Sequence, residues 1–287
     1  MTDIAAAAQF VAANARLIDR RRFAFLEGDG SADDVLRALA AYRNDDGGIG
    51  YIEPDLRTPG SQPACVTHAL EILHEVGAAD TSIATGALDW LQTVTRPDGG
   101  VPFVLPNAKG WPRAPWFEAI DDEPPSSLLM TAGIAAAAHR LGLEHPWLDA
   151  ATEYCWERTG ELAEGHAYTV RSGIDFLDAV PDHARADAVL ATVADRIPPD
   201  GLLRVEGGTA DEVLRPLDVA DRPDHAGRRL FDDAVIEHEL DRLAAEQKDD
   251  GGWTVDFLAW NPVAAWEWRG FVTVLALQTL RAYDRMR

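Results

Sequence analysis

An aspartate followed by glycine recurs along this chain at a nearly constant interval. It occurs in Asn44-Asp45-Asp46-Gly47-Gly48, Arg96-Pro97-Asp98-Gly99-Gly100, Pro199-Asp200-Gly201 and Lys248-Asp249-Asp250-Gly251-Gly252. In these four turns the aspartate before glycine falls at 46, 98, 200 and 250, so the gaps are 52, 102 and 50 residues. The long gap is two periods with one copy degraded, and Gly160 to Gly165 stands in its place. A fixed period of this size marks a repeat architecture, in which one unit is too small to bury its apolar face alone. The turn has a physical basis. A carboxylate can accept backbone N–H groups, and glycine can adopt positive φ at a helix end. Copying into successive units favours a structural role for these acids, because catalytic groups are rarely repeated.

Between the turns the apolar spacing predicts helices and no strand. They cover 3–26, 32–43, 62–76, 81–95, 126–141, a run from Pro146, 168–180, 183–197, 228–247 and 266–285. Residues 207–224 carry Pro216 and Pro223 and are expected to form a loop with at most a short helix. Residues 101–125 form a long loop with Trp111, Trp116, Phe117, six prolines and the run Asp121-Asp122-Glu123. A loop of that length is usually functional or disordered, and its bulky aromatics argue against disorder. Stacked linearly, the hairpins would make a solenoid. Closed, they would make a two-layered ring, and an alanine-rich first helix available to partner the apolar last one favours closure.

Composition narrows the function. With 26 basic and 48 acidic side chains the formal charge is -22, which disfavours a nucleic-acid partner. Cys65 and Cys155 make no disulfide framework. No apolar run approaches the ~20 residues that span a bilayer, and the N-terminus has no signal-peptide pattern, so a cytoplasmic location is expected.

Gln247, Gly251 and Trp253 have the Gln-x-x-x-Gly-x-Trp spacing of the glutamine–tryptophan repeat of terpenoid cyclases. Ala87, Trp90, Leu91 and Gln92 ahead of Gly99-Gly100 give a looser copy. Over most of 30–287 the chain resembles one α/α-toroid domain of the squalene cyclase and prenyltransferase β-subunit superfamily. The resemblance implies an all-α fold, a closed double ring of about ten to twelve helices in a single domain over 1–287. Proteins of this kind include class II cyclases, protein prenyltransferase subunits and non-enzymatic complement-type domains. Single-domain cyclases of the family usually work with a second domain, so a homodimer or a partner subunit is implied.

In the cyclases a carboxylic acid of an Asp-x-Asp-Asp motif protonates an alkene or epoxide, and aromatic faces stabilise the cations. Such an acid must keep its proton beside an apolar pocket. This chain lacks Asp-x-Asp-Asp. Asp121, Asp122 and Glu123 are the nearest candidates for the acid, and a solvated acidic loop is the alternative. Trp111, Trp116, Phe117, Tyr168, Trp260 and Trp266 are candidates to line an isoprenoid pocket, or else they pack the layers. Arg113 and His68 complete the candidate binding set. Cys65 and His68 lie one helical turn apart, but a third zinc ligand is missing, with His139 the only tempting one, so no metal is expected. No cofactor is expected either, and magnesium would enter only with a diphosphate substrate. The expected function is a terpene cyclase-like or prenyltransferase-like protein that binds an apolar isoprenoid in a central aromatic cavity. The alternative is a binding or scaffold module on the same fold.

Overall fold

The computed structural model describes residues 2–79 and 81–286. Eleven α-helices lie among them: α1 (Ile4–Asn14), α2 (Leu17–Glu27), α3 (Ala32–Leu39), α4 (Pro63–Glu75), α5 (Ser82–Val94), α6 (Leu128–Arg140), α7 (Pro146–Glu157), α8 (Ala167–Ala179), α9 (His183–Ala194), α10 (Asp233–Ala245) and α11 (Pro262–Ala282). The chain forms two compact units, Leu36–Thr192 and Met1–Val35 with Val193–Arg287. A small antiparallel hairpin, β1 (Leu203–Arg204) with β2 (Val213–Leu214), reaches into the segment expected to be a loop, where no strand was expected. Helix starts follow local chemistry. Thr81, Ser127 and Asn261 accept N–H groups of the first turn, and α4, α7 and α11 open with proline.

In the unit Leu36–Thr192 the helices make two layers. α4, α6 and α8 lie side by side, and α5 and α7 form a second row, with α4 paired to α5 and α6 to α7. α6 buries Ala132, Ala135, Ala136, Ala137 and Ala138, and this small surface lets α8 approach closely. Trp90, Trp147, Tyr154 and Trp156 are buried in the α5–α7 row. There they supply the bulk that alanine-rich helices lack.

The Asp-Gly-Gly turns fix how each hairpin meets the next helix. In each, the residue two before the aspartate donates its N–H to the second glycine: Asn44 to Gly48 O at 2.9 Å, Arg96 to Gly100 O at 2.8 Å and Lys248 to Gly252 O at 2.9 Å. The aspartate accepts the N–H of that same glycine. A Cβ added to the first glycine would lie 2.8 Å from Gly86 O, 2.9 Å from Ala150 O or 2.2 Å from Ala6 O. A Cβ on the second would strike the ring of Trp90, Tyr154 or Phe10. The two contacts on each helix are four residues apart: 86 and 90 on α5, 150 and 154 on α7, 6 and 10 on α1. One turn of helix therefore presents a small residue and then an aromatic to the same glycine pair. The Asp200-Gly201 turn differs, because Gly201 meets Pro216 and Phe231.

In the unit Met1–Val35 with Val193–Arg287, the last Asp-Gly-Gly turn thus packs on the first helix. Gln247 ties it there. Its Oε1 accepts Asp3 N–H at 2.7 Å, and its Nε2 donates to Asp3 O and Gly251 O. Arg269 of α11 bonds both oxygens of Asp250 at 2.7 and 2.9 Å and lies 4.5 Å from the Phe10 ring centre. The segment 3–26, expected as one helix, is two. The chain is extended at Ala15 and Arg16, and Arg16 and Arg22 close on the buried Asp19. Gly270 of α11 packs directly on Ala15, where a Cβ would approach to 2.8 Å. The break opens the space that α11 needs.

Two predictions test this account. Gly251 has φ +91° and Gly77 has φ +66°, but only Gly251 has a neighbour within 4 Å of an added Cβ. Gly77→Ala should cost about 1–2 kcal/mol from backbone strain alone. Gly251→Ala should cost roughly 3 kcal/mol or more, since α1 must also move. Equal midpoints in urea unfolding would contradict the turn-on-helix contact. The second concerns Asp250, whose carboxyl is held below its ordinary value of 3.8, first by the Arg269 hydrogen bond. A depressed carboxylate stabilises the fold above its unfolded pKa and stops doing so as pH falls through its folded pKa. Asp250→Asn keeps the turn acceptor and loses the charge, so it should be less stable by about 1 kcal/mol at pH 7. That gap should close as the pH is lowered below 3.8. A gap independent of pH would mean that the ion pair contributes nothing.

Candidate functional site

The connector from the first turn to α4 carries two buried acids, Glu53 and Asp55. Tyr51 starts it with φ +62°, a strained value for a residue with a side chain, and donates its N–H to Thr58 O at 3.1 Å. Pro54 sits in a tight turn closed by Leu56 N–H to Glu53 O. Both Glu53 oxygens are engaged. Oε1 accepts the Asp55 N–H at 2.9 Å, and Oε2 lies 2.8 Å from His68 Nε2. His68 Nδ1 lies 3.7 Å from Glu71 Oε2, one helical turn along α4. Exposure rises along this series: the side chain of Glu53 is 7% accessible, that of His68 13% and that of Glu71 47%. A buried carboxyl is therefore bonded to an imidazole whose other ring nitrogen lies at ion-pair distance, beyond hydrogen-bond reach, from a half-exposed carboxyl.

The long loop covers this connector. Arg57 N–H donates to Pro112 O at 3.0 Å, Ala114 N–H donates to Asp55 O at 2.8 Å, and Leu56 pairs with Arg113. Gln62, fully buried, accepts the Leu105 N–H at 2.9 Å and donates to Asn107. Arg113 serves its own loop, with hydrogen bonds to Ala108 O, Trp111 O and Glu118.

The acids chosen from sequence lie elsewhere. Asp121, Asp122 and Glu123 are exposed. The Asp122 side chain is 92% accessible, and Lys109, at 2.6 Å, holds its carboxyl below the usual range. A group ionised by a lysine in open solvent is the opposite of a shielded proton donor, so these three do not form an acid site. Trp111 and Trp116 are 45% and 42% exposed, and Phe117 is buried against Phe103 with ring centres 4.9 Å apart. His139 faces Thr152 at 2.8 Å, and burial lowers its pKa. Burial pushes the Cys155 thiol up. Among the described residues no group of three or more His, Cys, Asp or Glu is placed to hold a metal ion.

The face of α4, α6 and α8 turned away from the second layer carries Thr67, His68 and Glu71, Leu129 and Gly133, and Tyr168, Arg171 and Ser172, all at least partly exposed. Of the aromatic set expected in the cavity, it holds Tyr168 alone. Trp260 and Trp266 belong to the other unit, where Trp266 is 46% exposed and stacks on Phe10. Two buried acids of that unit face guanidinium groups, Asp19 with Arg16 and Arg22 and Glu239 with Arg242 and Arg215, while the buried Glu212 accepts the Thr209 N–H. Partial burial and then the Asp218 charge raise the pKa of Asp256, but its side chain is 45% exposed.

Glu53 was missed in the sequence because it sits in a proline-rich connector with no periodicity. A signal was nevertheless present. Glu53-Pro54-Asp55 keeps the acid-x-acid spacing of Asp-x-Asp-Asp, with Leu56 in the fourth place.

Neither protein-family models nor curated protein sequences give a match to this chain. Solved structures do. A crystal structure of a protein from Actinoplanes is 17% identical, covers 98% of this chain and 100% of its own, and has a TM-score of 0.62. The type II terpene cyclase MstE from Scytonema, without ligand, is 15% identical over 99% of this chain and 88% of its own, with a TM-score of 0.55. An MstE variant in complex with its substrate, geranylgeranyl dihydroxybenzoate, gives 14% identity, 96% coverage of both chains and a TM-score of 0.56. Among the described residues no helix is long and apolar enough to cross a membrane. The chain therefore has the all-α, α/α-toroid fold of the type II terpene cyclases.

Proposed function

We propose that this chain is a terpene cyclase-like enzyme acting on an isoprenoid, with Glu53 as the proton donor and His68 as the group that resupplies it. The observation that carries the reading is the buried Glu53 carboxyl bonded to His68 at 2.8 Å, with the exposed Glu71 behind it. In this reading the Glu53 O–H gives its proton to an alkene carbon of the substrate. A C–H bond forms from the π electrons, the positive charge passes to the neighbouring carbon, a second alkene of the substrate attacks that carbon to close the ring, and the final cation loses a proton to solvent to leave a neutral alkene. The carboxylate left behind regains a proton from the His68 imidazolium, which is recharged through Glu71 from solvent. Asp55, whose N–H holds Glu53 Oε1, positions the donor. The likeness to a cyclase that binds a geranylgeranyl substrate supports the substrate class.

A second reading has a specific observation behind it. The open face of α4, α6 and α8 carries Glu71, Arg171 and Asp175 where an aromatic wall was expected. A protein that binds an isoprenoid without cyclising it would fit that face. Turnover separates the two.

Purified protein incubated with geranylgeranyl-bearing substrates, including geranylgeranyl dihydroxybenzoate, should give cyclised products detectable by mass spectrometry. Glu53→Gln preserves the shape and the acceptor for the Asp55 N–H but carries no acidic proton, and should lower the rate about 10²–10⁴-fold, the usual contribution of a general acid. Asp122→Asn should leave the rate unchanged. Full activity in Glu53→Gln would remove the assigned donor, and binding without products in the wild type would favour the second reading.

A further inference from the structure

The backbone of Asp55 is held on both sides. Its N–H donates to Glu53 Oε1 at 2.9 Å, and its carbonyl accepts the Ala114 N–H at 2.8 Å. The carboxyl assigned as donor is therefore one residue away from the long loop. The junction has a second bond, because Arg57 N–H donates to Pro112 O at 3.0 Å on the other side of the Leu56–Arg113 pair. The loop thus sets the Asp55 backbone, and the Asp55 N–H sets one oxygen of Glu53. His68 holds the other oxygen.

This junction depends on the shape of the loop, which apolar packing alone does not keep there. Of residues 108–116 only Ala108 and Ala114 are buried, and two methyl groups anchor little. Arg113 supplies the missing anchor. Its Nη1 donates to Ala108 O at 3.2 Å and to Trp111 O at 2.9 Å, and its Nη2 donates to Glu118 Oε1 at 2.5 Å. The loop is wrapped round the guanidinium, whose side chain is only 15% accessible although Trp111 and Trp116 beside it are exposed. A planar fork can gather two carbonyls and a carboxylate at fixed angles. The two residues that bond the connector, Pro112 and Ala114, are its immediate neighbours.

We propose that Arg113 is a positioning residue for proton donation by Glu53. It braces the loop, the loop fixes Asp55, and Asp55 aims the carboxyl; the guanidinium itself touches no substrate. The inference rests on the reading of Glu53 as the donor and adds to it the part of the chain that orients that group. A reacting group misplaced by about 1 Å can lose 10²-fold in rate, so the effect belongs to kcat.

The test measures kcat and KM with geranylgeranyl dihydroxybenzoate on full-length variants, and amide hydrogen exchange on the same proteins. Arg113→Gln removes the fork. Ala114→Pro removes the N–H that bonds Asp55, at a residue whose φ of -67° already suits proline. Both should lower kcat about 10–100-fold and leave KM within about twofold. In Arg113→Gln the Asp55 and Ala114 amides should exchange at least about tenfold faster, with those of α6 unaltered. Lys109→Gln, which frees Asp122 in the same loop, should change neither constant. Added to Glu53→Gln, Arg113→Gln should cost no more than about twofold further, because no donor is left to aim. Arg113→Lys keeps the charge beside Glu118 without the planar fork, and its kcat decides the matter if Arg113→Gln does not fold. Unchanged kcat in the Arg113 variant overturns the proposal. So does a raised KM at full kcat, which would return Arg113 to substrate binding, or an undiminished loss in the Glu53→Gln background. If wild type forms no product, the donor reading itself fails and this role falls with it. If Glu53→Gln loses turnover while the variants at 113 and 114 keep theirs, only the role of Arg113 fails.

Discussion

The contact on which the rest depends is a glycine pair pressed against one turn of a neighbouring helix. Gly47-Gly48, Gly99-Gly100 and Gly251-Gly252 each leave no space for a side chain against Gly86 and Trp90, Ala150 and Tyr154, or Ala6 and Phe10. The first glycine brings backbone against backbone, and the second lets an aromatic ring lie flat on the chain. Substituting either partner in such a contact moves a whole helix, since neither side has a flexible end that can yield. Loss of the aromatic would leave a void of ring size, which costs about 3–5 kcal/mol in a packed interior. The turn aspartates hold this arrangement from the other side. Asp46 and Asp98 accept hydroxyls of Ser61 and Ser126, just ahead of α4 and α6, and Asp250 takes Arg269 of α11. Each turn therefore fixes the end of one helix, the face of a second and, through its aspartate, a third, at its start for α4 and α6 and within its body for α11.

Consequently the segments free to vary are the connectors that leave the turns. Three of them differ widely in length. The connector after Gly48 bends through Tyr51 and Pro54 and buries two acids. The one after Gly100 becomes the long aromatic loop, which closes over the first. The one after Gly252 runs through Trp253, whose indole N–H bonds Leu243 O at 2.8 Å, and soon enters α11. The candidate chemistry sits in the first, on a frame whose rigidity comes from contacts repeated elsewhere. This is the usual division between a scaffold and its functional loops.

Much of the frame was legible in the sequence. The Asp-Gly interval located the hairpins, Pro146 marked a helix start, and Gln247 and Trp253 announced the last turn. The aromatic four residues beyond a small residue on α1, α5 and α7 was equally present in the letters. It has no meaning until the glycine pair is known to lie on it, because contact between distant segments leaves no mark on either one alone. The break at Ala15 was hidden for the same reason, since it answers to Gly270. The site was read less well than the frame. Three consecutive acids at 121–123 drew notice, yet adjacency of charges says nothing about burial. Lys109 and open water settle their state. Trp90, Trp147, Tyr154 and Trp156 show why aromatic count was a poor guide to a cavity: alanine-rich helices need bulk between their layers.

Repetition also separates the acids by role. Asp46, Asp98 and Asp250 recur with the fold and are used up by it, each accepting a turn N–H together with a hydroxyl or a guanidinium. Asp19 and Glu239 do not recur, but each is paired with arginines, which stay charged at any working pH. Glu53 does not recur either, and its charged partner among the described residues is a histidine. An imidazole can hold a proton or release it near neutral pH, whereas a guanidinium cannot. A buried carboxyl that must gain and lose protons in each cycle needs the former. Among the acids discussed here, that exchangeable partner, more than burial itself, singles out Glu53.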